Sequence, residues 1–154
     1  MIAVVLAAAA LTLPQQAVVA PGEAFGGLRL GATRAQVEAA WGGDHGRCQG
    51  CPRPTWYFTY RHFEPEGAGV AFGNGRAVAF FTIWSPGGWR TTKGLRVGDA
   101  EARIGRLYGT LPRTDCGRYS ALVLRREGTD TQFYVYRGKV WGFGLSRAGA
   151  PPCH

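Results

Sequence analysis

Gly27-Leu28-Arg29-Leu30-Gly31-Ala32-Thr33-Arg34-Ala35-Gln36-Val37-Glu38-Ala39-Ala40-Trp41-Gly42 aligns without a gap on Gly94-Leu95-Arg96-Val97-Gly98-Asp99-Ala100-Glu101-Ala102-Arg103-Ile104-Gly105-Arg106-Leu107-Tyr108-Gly109, at an offset of 67 residues. Six of the 16 positions are identical, and Leu30/Val97, Val37/Ile104 and Trp41/Tyr108 are near matches. Internal similarity at a fixed period points to a folding unit used twice. In each copy a short apolar stretch leads to a Gly, after which Thr33 or Asp99 is placed to cap a helix; Gln36, three residues after Thr33, completes a capping box. Val37, Ala40 and Trp41 then fall on one helical stripe, as do Ile104, Leu107 and Tyr108. Gly42 and Gly109 stand where a helix ends in a left-handed residue.

Strand patterns follow each copy. The first has residues 55–60 (TWYFTY), 69–72 (GVAF) and 77–84 (AVAFFTIW); the second has 119–124 (YSALVL), 131–136 (TQFYVY) and 139–145 (KVWGFGL). Asn74-Gly75 and Arg137-Gly138 mark tight hairpins between the last two strands of each set, because a type I′ turn needs two residues at positive φ. The unit reads α-β-β-β twice. Halves of about 65 residues are marginal alone, so they are expected to share a core.

The tandem G-L-R-x-G-x-x-x-A-x-[VI]-x-x-x-[WY]-G pattern with its hairpins resembles the exported α/β repeat of the beta-lactamase inhibitory proteins and the SmpA/OmlA outer-membrane assembly lipoproteins. The resemblance implies an α+β fold in which short helices pack on a curved antiparallel sheet, and a non-catalytic, protein-binding role. No inhibitory loop matches residue by residue, and no binding residue is carried over.

The chain of 154 residues is 45% hydrophobic and 18% charged, too apolar and too weakly charged for a disordered protein. Met1 to Ala20 carries no charged side chain, and its apolar run reads as the core of a secretory signal peptide. The expected cut lies after Ala20 or Ala24, which leaves residues 25–89 and 90–154 as the two repeats of one globular unit without a transmembrane span. No Cys stands near either cut, so lipidation is not expected.

Export gives the four cysteines an oxidising context, and four allow three connectivities. Pairing of Cys48 with Cys51 and of Cys116 with Cys153 is favoured. The second bridge closes a loop worth about 3 to 4 kcal/mol in the chain-entropy model. A thiol-redox C-x-x-C needs a helix starting at its first Cys; Pro52 and Pro54 oppose a long one. His45, His62 and His154 lack zinc-ligand spacing, so neither metal nor other cofactor is expected.

Catalytic signatures are sparse. Ser85, Ser120 and Ser146 lie in no nucleophile motif, and the chain has no P-loop, dinucleotide fingerprint or zincin helix. Glu64 and Glu66 fall in a loop-like Phe63-Glu64-Pro65-Glu66-Gly67. The chain is therefore expected to be a secreted binding module rather than an enzyme; a small extracytoplasmic hydrolase or thiol-redox protein using His62/Glu64 or Cys48/Cys51 is the alternative.

Residues 25–89 carry six Arg against four acids, and residues 90–154 carry ten Arg and two Lys against five, so the basic excess lies in the second half. Arg beside Tyr119, Tyr134, Tyr136 and Trp141 is suited to an anionic partner. Export points to an exported protein or an anionic envelope component instead of nucleic acid. Trp84 and Trp89, with Arg90, bracket the connector between the halves as candidate interface anchors. Alternation puts Trp56, Phe58 and Tyr60 on one face of their strand and Tyr57 on the other, so part of the sheet is a candidate aromatic surface. A monomer is expected.

Overall fold

The computed structural model describes residues 12–61, 64–84 and 86–154. Its elements, in chain order, are β1 (Ala17–Ala20), β2 (Ala24–Phe25), α1 (Arg34–Trp41), β3 (Gly46–Arg47), β4 (Thr55–Arg61), β5 (Glu64–Gly73), β6 (Arg76–Ile83), β7 (Trp89–Thr91), α2 (Ala102–Tyr108), β8 (Arg113–Asp115), β9 (Ser120–Arg126), β10 (Thr129–Tyr136) and β11 (Lys139–Arg147). Eight strands form one antiparallel sheet in the order β3-β4-β5-β6-β11-β10-β9-β8, and β2-β1-β7 form a small second sheet.

The expected α+β class of two α-β-β-β repeats is corrected by this architecture, which is mostly β. The helices have only eight and seven residues, because Gly42 (φ 94°) and Gly109 (φ 80°) turn the chain out of each after about two turns. Each helix is followed by four strands and not three, since β3 and β8 add short edges, and β1, β2 and β7 form a sheet that no repeat pattern foretold. Glu64 and Glu66, read as a loop, lie in β5. The boundary drawn at Trp89/Arg90 falls inside β7.

Local expectations fare better. Thr33 Oγ1 accepts from the Gln36 N–H at 3.2 Å while Gln36 Oε1 accepts from the Thr33 N–H at 2.9 Å, a complete capping box. Asp99 does not cap α2. Its carboxylate instead accepts from the Arg96 N–H and the Arg103 guanidinium, fixing the preceding turn. Asn74-Gly75 and Arg137-Gly138 have positive φ at both residues. Both expected disulfides are present.

The two halves meet at the pairing of β6 with β11, where Phe80 lies opposite Leu145 and Phe81 opposite Gly144. On one side of the sheet Val37 and Trp41 of α1 and Ile104 of α2 pack with Phe58, Phe80, Phe133, Phe143 and Leu145. Phe25 stacks on Phe80 at 5.8 Å and meets Trp89 at 5.1 Å, with Trp41 edge-on to Phe58, Phe80 and Trp89. Leu13, Ala17 and Val19 lie in the same core. Both predicted cut sites, after Ala20 and after Ala24, therefore fall within a packed sheet.

Polar tips inside this cluster are connected. Trp89 Nε1 donates to Tyr60 Oη at 2.7 Å, and Tyr60 Oη donates to the Pro14 carbonyl at 2.9 Å. Burial raises the Tyr60 pKa, so the hydroxyl stays a donor through the neutral range. Tyr60→Phe removes both bonds and leaves the Trp89 N–H without its acceptor; the expected cost is about 1 to 3 kcal/mol, read as a lowered midpoint in urea unfolding with unchanged slope.

Candidate functional site on the open face of the sheet

The second face of the eight-stranded sheet carries no helix; both helices bury their apolar residues in the other cluster. It carries Phe81, Ala121 and Tyr134, flanked by half-buried Tyr57, Ile83, Tyr119 and Trp141. Missing side chains shape this surface. A methyl group at Gly69 would lie inside the Phe81 ring, so the glycine lets that ring lie flat across the neighbouring strand. Gly69→Ala is expected to displace Phe81 and destabilise the fold by about 1 to 3 kcal/mol, measured as a shift in thermal midpoint.

The C-terminal residues 148–154 cross this face. Cys153 is bonded to Cys116, and the His154 N–H donates to Tyr119 Oη at 2.8 Å. The His154 ring stacks on Phe81 at 4.2 Å, and Gly149 N–H donates to the buried Asp130 carboxylate at 3.2 Å. Between this tail and the Cys48–Cys51 loop lies a cleft of about 820 Å³, with Tyr57, Ala79 and Phe81 in its lining and Arg53 and Arg147 among its walls. No carboxylate side chain lines it, and among the described residues neither arginine makes an ion pair. The cleft is thus a cationic, aromatic-floored groove. A second depression of about 680 Å³ lies beside α1, lined by residues 27–32, Gln36, Ala39, Ala40 and Arg76, and there Arg76 already donates to the Gly31 carbonyl at 3.1 Å.

The predicted anchors are divided by the fold. Trp84 is 63% exposed at φ 47°, an uncommon conformation for a bulky side chain. Trp89 is completely buried and serves the core, and Arg90 is half-buried in β7. Tyr134 is buried, whereas Trp141 is half-buried against Tyr119 at 5.2 Å. Tyr136 is exposed with the Arg137 guanidinium over its ring. Of the face-alternating aromatics, Trp56 and Phe58 turn inward and Tyr57 faces the cleft. Arg53, Arg147, Phe81 and His154 went unrecognised in the sequence; the one available signal was Cys153, whose bridge brings the tail across the sheet.

The residues of the enzyme alternative are scattered. His62 and Ser85 lie outside the described residues. Glu64 pairs with Arg61 at 3.6 Å on the surface, and Ser146 is buried, accepting from Gln132 Nε2. Cys48 and Cys51 close a turn with no helix after it. His45 stacks on Trp56 at 3.8 Å and bonds Glu38.

No family model matches the chain, and no curated protein does. Among solved structures, it is similar to an extracellular protein containing an SCP domain from Bacillus anthracis str. Ames, with a TM-score of 0.57 at 9% identity, over 77% of this chain and 44% of that one. The chain therefore spans less than half of that neighbour's length, and the likeness is one of fold.

His154 makes the tail sensitive to acid. Although the residue as a whole is exposed, its ring is desolvated against Phe81, which lowers its pKa from 6.5 to about 4. A released tail titrates near 6.5, so between these values it binds more protons than the docked one; docking is fully supported above pH 6.5 and weakens as the pH falls towards 4. The protection factor of the His154 amide against hydrogen exchange should fall as the pH is lowered across that window, and His154→Phe should abolish the dependence.

Proposed function

We propose that the protein is an exported, non-catalytic binding module whose open sheet face takes an acidic segment of another exported protein. The observation that carries this reading is the cleft itself, where Arg53 and Arg147 flank an aromatic floor with no Asp or Glu in its lining. Two guanidiniums without ion-pair partners suit carboxylates, to which Arg can present two parallel N–H donors. Aromatic rings beside them supply apolar contact area at low entropic cost. Trp84 and Tyr136 are further exposed aromatics outside the cleft lining.

Export is supported by the apolar N-terminal run, by two disulfides and by a fold shared with an extracellular neighbour. The resemblance of the tandem Gly-Leu-Arg pattern to inhibitory and envelope-assembly repeats supports protein binding.

Titration of the disulfide-bonded protein with poly-L-glutamate, followed by tryptophan fluorescence, tests the reading. Binding is expected to weaken with added salt, and the Arg53→Ala/Arg147→Ala double variant to lose about tenfold or more in affinity, the loss of at least one charge-assisted hydrogen bond. Arg118→Ala/Arg125→Ala, exposed arginines outside the cleft, should bind within about twofold of the parent, since only screened surface charge is lost. Equal losses in both double variants would show diffuse attraction to a basic protein and overturn the site.

A further inference from the structure

We propose that the open face of the sheet holds one buried water molecule beneath the C-terminal tail, bridging the Tyr134 hydroxyl and the Gln132 side-chain carbonyl. Neither residue lines the arginine cleft, so this is a separate site.

Alternation along β10 turns Asp130, Gln132 and Tyr134 to one face, away from Phe133 and Val135, which lie in the helix-covered core. The tail meets this row at both ends. Gly149 N–H donates to the Asp130 carboxylate at 3.2 Å, and the His154 ring stands edge-on to Tyr134 at 6.3 Å. Gln132 lies between these two points and is completely buried; Tyr134 is nearly so. Tyr119 and Trp141 close round the Tyr134 ring at 5.6 and 6.5 Å.

Two polar atoms in this enclosure, Gln132 Oε1 and Tyr134 Oη, have no partner in the protein. The other end of the amide is committed, since Gln132 Nε2 donates to Ser146 Oγ at 2.9 Å. Burial holds the Tyr134 pKa well above its ordinary value, so the hydroxyl keeps its proton and remains a donor. One donor and one acceptor are thus shut away from solvent, and an unmade hydrogen bond at either is costly enough that native interiors rarely leave one.

The two atoms converge. Gly144 faces Gln132 across the β10–β11 ladder, and a methyl group at Gly144 would collide with both Tyr134 Oη and Gln132 Oε1. Both oxygens therefore approach the same point of the Gly144 backbone, near enough for one water to reach each with a bond of about 2.8 Å, yet they do not bond each other. Turning the amide end for end puts Nε2 in the place of Oε1, no better set to reach Tyr134 directly. A water that accepts from the Tyr134 O–H and donates to Gln132 Oε1 satisfies both at once, with the two polar partners that a buried water needs. Ser146, Gln132, the water and Tyr134 then make one continuous chain of hydrogen bonds. That chain fixes the tyrosine against which His154, a wall of the cleft, is packed.

A crystal structure of the disulfide-bonded protein at atomic resolution tests this, and is expected to show one density peak within hydrogen-bond distance of both atoms. A direct contact between Gln132 and Tyr134 with no peak, or a peak bonded to only one of them, overturns the proposal. A peak that acquires an anomalous signal when sodium is exchanged for rubidium marks a cation and also overturns it. In solution, oxygen-17 magnetic relaxation dispersion counts waters that stay bound for longer than the protein takes to tumble. Tyr134→Phe/Gln132→Met is expected to lower that count by one. Tyr108→Phe, which removes a hydroxyl bonded to Thr91 on the helix-covered side, should leave it unchanged. Equal counts in the parent and the folded double variant overturn the site, and the crystallographic result stands whether or not that variant folds.

Discussion

The closing of β1 against β7 is the contact on which the remaining core depends. Trp89 stands in β7 with its ring among Phe25, Trp41 and the edge of the sheet, and its indole N–H needs a buried acceptor. Tyr60 supplies that acceptor, and the Tyr60 hydroxyl is in turn satisfied by the Pro14 carbonyl just before β1. A parallel pair needs a long crossover. Here the crossover between β1 and β7 contains α1 and the entire first half of the large sheet, so forming this small pairing encloses about half the chain. The aromatic cluster joins that pairing to the β6–β11 seam through Phe25, which meets Trp89 on one side and stacks on Phe80 on the other.

The same seam explains why the sheet has one open face. With both helices on the side of Trp41 and Phe133, the opposite side has only the C-terminal tail to cover it. Glycines where β5 and β11 face aromatic residues on neighbouring strands let rings lie across the sheet in place of a packed layer, a recognised way to stabilise glycine in strands. The Cys116–Cys153 bridge then holds the tail where stacking of one imidazole on Phe81 would be too weak alone.

Much of this was legible in the residues. Thr33 and Gln36 announced the start of α1, Asn74-Gly75 and Arg137-Gly138 announced their hairpins, and alternating apolar residues marked the six long strands, because each signal is local. What stayed hidden depends on contacts distant in sequence. An uncharged stretch such as residues 13–20 is compatible both with the end of a leader peptide and with a buried strand, and only the presence of Trp89 and Phe25 beside it decides. Edge strands of two or three residues, β3 and β8, have no periodicity to read. The resulting count of strands turned an expected α+β protein into a mostly β one. Trp84 and Trp89 looked equivalent as anchors, yet they lie on opposite sides of a turn, one exposed and one sealed.

Charge shows the same dependence on topology. Summed along the chain, the basic excess belongs to residues 90–154, which suggests that the second half alone meets an anionic partner. The cleft draws its two arginines from both halves, Arg53 from the loop before β4 and Arg147 from the end of β11. They converge because β6 and β11 pair at the seam and because the tail turns back over the sheet beyond Arg147. Neither half folded by itself would hold both walls. Within this fold the position of a charge relative to the seam therefore decides whether it reaches the cleft, whatever the net charge of the segment that carries it.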